Sequence, residues 1–149
     1  MLQRIQTLFL FVALACEVVV LVAPLAYLQI NENVLYEIYS RGYFINNQFQ
    51  YSYVLFIVCI ISLILSLIII FLYKNRILQM RLTIYNFILL LVIQGIFIYV
   101  IYHTASRLSA DIYLRYASLL PVISALFHIL AFRYIKRDEE LVKAADRIR

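Results

Sequence analysis

Residues 111–149, DIYLRYASLLPVISALFHILAFRYIKRDEELVKAADRIR, decide the fold of this chain. Residues 112–135 are largely apolar, and they pass into the charged run KRDEELVK with no Gly or Pro at the junction. An α-helix of about 20 apolar residues crosses the ~30 Å hydrocarbon core of a bilayer. We therefore expect one transmembrane helix over 112–135 that leaves the membrane and continues into water as a helical tail over 136–149.

Three further apolar segments are also long enough to cross a bilayer, and they cover 7–28, 51–73 and 82–102. The chain has 149 residues, of which 66% are hydrophobic and 14% charged, whereas soluble domains are roughly 45–50% apolar and 25% charged. A water-soluble fold of this size cannot bury so much apolar surface. The composition therefore predicts a single integral membrane domain over 1–149, with the lipid bilayer as solvent and no nucleic-acid partner.

Basic residues collect at one end of the predicted spans. Ten of the 13 Lys and Arg residues precede the first span, lie in the turn over 74–81 or fall within 133–149. The other three are Arg41, Arg107 and Arg115. The positive-inside rule then places both termini in the cytosol. Because the connections after the second and third spans are short, the expected fold class is all-α, a four-helix antiparallel transmembrane bundle with a cytosolic C-terminal helical extension.

The longest connection, 29–50, is polar and rich in tyrosine, a residue that suits the membrane–water interface. Apolar stretches flank Ser40 to Gly42, so this segment forms either a short β-hairpin or an irregular loop on the membrane. In the fourth span we expect Pro121 to kink the helix. We also expect Asp111 and Arg115, four residues apart, to pair near its outer end.

Five polar residues lie at comparable depths when counted from the cytosolic edges of the predicted spans. An ionisable group in mid-span is costly, so Glu17 is the most informative of them. We expect these residues to converge in the bundle interior as a midplane polar cluster: Glu17, Ser62, Gln94, Ser124 and His128. The cluster could be a site for a proton, an ion or a lipid head group. The alternative is a structural contact between helices, in which a protonated Glu17 bonds Gln94 or a serine.

Small residues let helices approach closely in lipid, and we expect Ser62, Ser66 and Gly95 to lie at helix–helix contacts. Cys16 and Cys59 lie inside apolar runs, which is typical of buried thiols.

Catalytic signals are weak. Ser124 and His128 share a helix face, but the sequence offers them no third orienting group. It also contains no phosphate-binding Gly-rich loop and no Cys/His metal spacing. We therefore expect a protein without enzymatic activity, cofactor or metal.

Three stretches carry a resemblance to a known family: MLQRIQT at 1–7, NRILQ at 75–79, and RYIKRDEELV with ADRIR at 133–142 and 145–149. They resemble the family called domain of unknown function 4293, small four-span membrane proteins of Bacteroidota bacteria. The resemblance covers the whole chain and implies an inner-membrane location. It implies no activity and no catalytic residue.

All three stretches lie at the predicted cytosolic face. There Arg4 and Arg76 could bridge to acidic residues of the tail and form one docking face, the acidic candidates being Asp138, Glu139 and Asp146. This favours a non-enzymatic accessory or assembly subunit that docks on a larger membrane protein complex. The alternative is a small oligomeric channel or a proton- or ion-coupled transporter that uses the midplane polar cluster. A homo-oligomer is compatible with either function.

Overall fold

The computed structural model describes the backbone of residues 2–30, 34–45, 48–51 and 53–147, and the side chains of 5–29, 36–43, 53–142 and 144. Its helices confirm the predicted class. They are α1 Leu2–Val22, α2 Tyr53–Phe71, α3 Arg76–Leu108 and α4 Leu120–Arg147, and all four are long and apolar enough to cross a membrane. The helical C-terminal extension is also confirmed, because α4 runs through the charged segment without interruption.

The helices form a ring in which each packs on two others. Helix α1 packs on α2 and α4, and α3 packs on the same two. The α1–α4 contact is lined by fully or almost fully buried alanines, among them Ala13 and Ala131. Since a methyl side chain keeps the two backbones close, the Ser124 hydroxyl of α4 reaches the Ala13 carbonyl oxygen of α1 at 3.2 Å.

A five-stranded antiparallel sheet closes one end of the bundle. Its strands are β1 Ala26–Ile30, β2 Val34–Tyr39, β3 Gly42–Ile45, β4 Gln48–Tyr51 and β5 Asp111–Leu114, in the order β4-β3-β2-β1-β5. The β2–β3 hairpin pairs Tyr39 with Gly42, so the first of the two alternatives for this segment is the one observed. The 33 residues of α3 extend over roughly 50 Å, and its C-terminal half packs with Leu25, Leu28 and Ile38 beneath the sheet.

The sheet takes residues that we assigned to two spans. Helix α1 ends at Val22, two residues before Pro24, and 26–28 of the predicted first span belong to β1. Likewise 112–114 of the predicted fourth span belong to β5, and α4 begins only at Leu120.

The late start of α4 makes two further predictions wrong, the kink at Pro121 and the pair between Asp111 and Arg115. Pro121 is the second residue of α4 and produces no mid-span kink, because a first-turn N–H has no partner within the helix in any case. Asp111 and Arg115 lie on extended backbone, where four residues cover about 13 Å, so they do not pair. The Arg115 guanidinium lies instead 4.4 Å from the centre of the Tyr27 ring.

Candidate functional site: a buried polar network

All four helices contribute polar side chains to one point in the bundle interior. Each of these side chains is at most 4% exposed. We call the set the interior network, and it consists of Glu17 from α1, Ser62 and Ser66 from α2, Asn86 from α3, and Ser124 and His128 from α4. Four of the five predicted members of the midplane cluster are therefore brought together.

The Glu17 carboxyl group joins three helices. The Ser66 hydroxyl lies 2.9 Å from each carboxyl oxygen, and the Ser124 hydroxyl donates to Oε1, also at 2.9 Å. Both donors are short side chains on helices packed against α1, so the carboxyl group is held from two sides.

Asn86 connects α3 to α2 and α4. Its Nδ2 donates to Ser66 Oγ at 2.7 Å and to His128 Nε2 at 3.0 Å, while its Oδ1 accepts from Ser62 Oγ at 2.9 Å. A side-chain amide has two N–H donors, and both are used here. Asn86 therefore contacts three network side chains on two other helices.

The surroundings of His128 fix its tautomer. Its Nδ1 lies 2.9 Å from the backbone oxygen of Ser124, which can only accept, so Nδ1 carries the proton. Nε2 is then free to accept from Asn86, and Ser66 Oγ lies 3.2 Å from the same nitrogen. Ser66 Oγ therefore lies within hydrogen-bond distance of both the Glu17 carboxyl group and the His128 imidazole.

The space beside Glu17 is very small. A cavity of about 10 Å³ adjoins it, lined by Glu17, Val20, Cys59, Ser62, Leu90, Ile93 and Pro121. A water molecule needs roughly 10–15 Å³ measured in this way. The site therefore has room for a proton or a single water, and not for a lipid head group or a hydrated ion. Among the described residues no cluster of three His, Cys, Asp or Glu side chains has metal-binding geometry.

Gln94 does not join the network, contrary to expectation. It lies eight residues further along α3 than Asn86, a displacement of about 12 Å. Its Oε1 is buried and has no hydrogen-bond partner in the described part of the chain. Asn86, which we did not single out, occupies the place predicted for Gln94.

Of the three residues predicted at helix–helix contacts, two lie between helices and one does not. Ser62 and Ser66 are buried between helices, as a small-residue contact requires. Gly95 is exposed, and a Cβ atom added there would meet no atom within 4 Å, so it lies at no contact between helices of this chain. Cys59 is buried and Cys16 is partly exposed, and both are free thiols.

At the predicted cytosolic end, Arg76 of α3 binds Asp138 of α4. Its Nη1 lies 3.3 Å from Asp138 Oδ2 and donates to the Asp138 backbone oxygen at 3.4 Å. Gln6 of α1 donates to the Tyr134 backbone oxygen at 3.1 Å. This bond joins the start of α1 to α4 one helical turn before Asp138. Glu139 is partly exposed beside Asp138. The side chains of Arg4 and Asp146, also predicted for this face, lie outside the described residues.

The fold and the interior network define a multi-pass membrane protein whose four helices are joined by buried polar contacts. The model of the family described as Domain of unknown function (DUF4293) matches residues 2–148, and the chain belongs to that family. The relationship inferred from the sequence is thereby confirmed. A comparison with curated proteins finds no match.

Proposed function

We propose that this chain is a non-enzymatic protein of the bacterial inner membrane, with both termini cytosolic, that serves as an accessory or assembly subunit. It docks on a larger membrane protein complex through its cytosolic end. The observation that carries this proposal is the extension of α4, which presents Leu141 and Val142, 52% and 41% exposed, within the charged run 136–143. Apolar side chains exposed on a helix that has left the bilayer favour a protein partner.

The tail is held in place, which supports a docking role. The Arg76–Asp138 ion pair, whose side chains are only 25% and 15% exposed, and the bond from Arg76 Nη1 to the Asp138 backbone oxygen join the first turn of the tail to the start of α3. A segment that is ordered before binding loses less conformational entropy when the partner arrives. The tail therefore suits recognition better than a free chain end would.

The interior network supports a scaffold role for the membrane part. Its side chains bond one another, and the adjoining cavity holds no more than about 10 Å³. Such contacts keep four helices in one arrangement without opening a path through them.

Reversing the charge of Asp138 is expected to reduce partner recovery roughly tenfold. Asp138→Arg converts an attraction into a repulsion, which costs more than the ~0–1 kcal/mol of a simple exposed pair, and it displaces the tail from α3. The exchange Arg76→Asp with Asp138→Arg restores an ion pair of the opposite sense and should restore recovery. The measurement is affinity purification in a mild detergent followed by quantitative mass spectrometry.

The control for that experiment is Glu140→Arg. Among the described residues, the ion pair that Glu140 makes is the highly exposed 3.9 Å contact with Lys136, so this change should leave recovery within about twofold. A wild-type protein that purifies as a clean species without any stoichiometric partner would contradict the proposed function.

Proton transport is the second candidate, and the position of Ser66 favours it. Its hydroxyl lies 2.9 Å from Glu17 and 3.2 Å from His128, so protons have a route between two titratable groups. If the chain conducts protons, liposomes containing it will show a pH-dependent flux. Glu17→Gln, which keeps the shape and cannot release a proton, will abolish that flux.

The matched change Gln94→Leu removes a polar side chain that lies outside the interior network, about 12 Å along α3 from Asn86, and it should keep most of the flux. If liposomes containing the wild-type protein show no greater proton flux than empty liposomes, this second function is wrong.

A further inference from the structure

The five-stranded sheet, which we call the outer sheet, has an open edge at β5. Within the described residues, β5 pairs with β1 on one side and with no strand on the other. The Arg115 N–H donates to the Leu25 carbonyl oxygen of the β1 side at 3.1 Å. Backbone groups alternate in direction along a strand, so the N–H and C=O groups of Ile112 and Leu114 point to the open edge.

The inner face of the sheet is uncovered at the same place. Ile112 and Leu114 lie opposite Leu28 and Ala26 of β1 and share their face. Leu28 and Ala26 are fully buried, whereas Ile112 is 41% exposed and Leu114 is 64% exposed. Apolar side chains on the inner face of a sheet, next to unpaired backbone groups, are typical of a surface that another chain covers.

A groove continues from β5 along α3. Its volume is about 280 Å³, and Ile98, Tyr102 and Leu114 are among its lining residues. Gln94, whose Oε1 is buried and has no partner in the described part of the chain, lies at its inner end. Gly95 is exposed on the neighbouring surface of α3 and leaves open space where a side chain would stand. A second helix can approach α3 closely at this point.

We infer that β5 pairs with β5 of a second copy of this chain, so that two outer sheets join edge to edge in a two-fold dimer. Two antiparallel copies centred on Tyr113 place Ile112 of each opposite Leu114 of the other, and their outward backbone groups match as donor and acceptor. The surfaces around Gly95 and Gln94 then extend the same interface into the membrane.

Charge complementarity selects a second copy over other occupants. In this register Asp111 of each copy lies directly opposite Arg115 of the other, on the face that carries Tyr113. Two cross-strand ion pairs form when each Arg115 guanidinium turns from the Tyr27 ring toward the open edge. Within one copy the two residues are about 13 Å apart on extended backbone and do not pair. Opposite charges at equal distances from a central residue are self-complementary, as a two-fold interface requires. This surface lies at the opposite end of the bundle from Asp138, so the inference is independent of the proposed function.

A cysteine at the centre of the strand tests the pairing. Directly opposite residues have Cβ atoms about 4.5–5.5 Å apart, close enough for a disulfide after a small adjustment. Tyr113→Cys in native membranes should therefore give a disulfide-linked dimer on mild oxidation. Tyr53→Cys, at an exposed position at the same end of the bundle, should give at least about fivefold less.

Charge exchange tests the register and the occupant. Asp111→Arg should lower the dimer fraction about fivefold to tenfold in single-molecule photobleaching, and Asp111→Arg with Arg115→Asp should restore it. Thermal melts of both variants confirm that the bundle itself is intact. Monomers throughout, equal crosslinking of Tyr113→Cys and Tyr53→Cys, or crosslinking of Tyr113→Cys to a different protein would each overturn the inference.

Discussion

Replacing Asn86 by leucine is expected to destabilise the bundle by about 2–5 kcal/mol. The change keeps the volume and shape of the side chain but removes the hydrogen bonds to Ser62, Ser66 and His128. Side-chain hydrogen bonds between transmembrane helices are worth roughly 0.6 kcal/mol on average and up to about 1.7, and three are lost together. The three former partners are also left buried and incompletely satisfied.

Gln94→Leu is the matched control. It makes the same chemical change on the same helix, at a side chain whose Oε1 has no partner in the described part of the chain. We expect its effect on the free energy of unfolding to stay within about 0.5 kcal/mol. Both variants are compared by unfolding in increasing SDS, followed by circular dichroism. Equal destabilisation by the two changes would show that the interior network does not hold the helices together.

The contrast between Asn86 and Gln94 explains one failure of the sequence-based prediction. We counted depth from the edge of the apolar segment at 82, whereas α3 begins at Arg76. In an antiparallel hairpin, residues meet when they are equally far from the turn. Ser62 lies ten residues before the turn over 72–75, Asn86 lies eleven after it, and Gln94 lies nineteen after it. Counting from the turn would have selected Asn86.

The outer sheet was only partly predictable. The β2–β3 hairpin was one of two predicted alternatives, because apolar stretches flank Ser40 to Gly42, and the structure shows the hairpin. Residues 26–28 of β1 and 112–114 of β5 were assigned to spans, since a short apolar run has no periodicity that separates a strand from the end of a helix. Pairing between β1 and β5 joins residues more than 80 positions apart, and local sequence patterns do not predict contacts over that separation.

The helices and the tail were predictable because their signals are local. Length and hydropathy identify a bilayer-spanning helix. The link between Arg76 and Asp138 was one of several bridges that the charges allowed at that face, and the structure shows this one. Which of these ion pairs forms depends on how α3 and α4 pack, and the sequence pattern alone does not determine that packing.

We expect the four helices to cross the membrane so that the turn after α2 and the tail of α4 share the cytosolic side and the outer sheet lies on the other side. Single cysteines at the exposed positions Lys74, Ser109 and Glu140 test it directly. Both native cysteines lie within membrane-spanning helices, so a polar maleimide should leave them largely unlabelled.

The measurement is labelling with a membrane-impermeant maleimide, first in spheroplasts and then in inverted membrane vesicles. We expect Ser109→Cys to react in spheroplasts and Lys74→Cys and Glu140→Cys to react only in inverted vesicles. Reaction of Lys74→Cys and Glu140→Cys from opposite sides, or of Ser109→Cys from the same side as Lys74→Cys, would show that this arrangement of the helices is wrong.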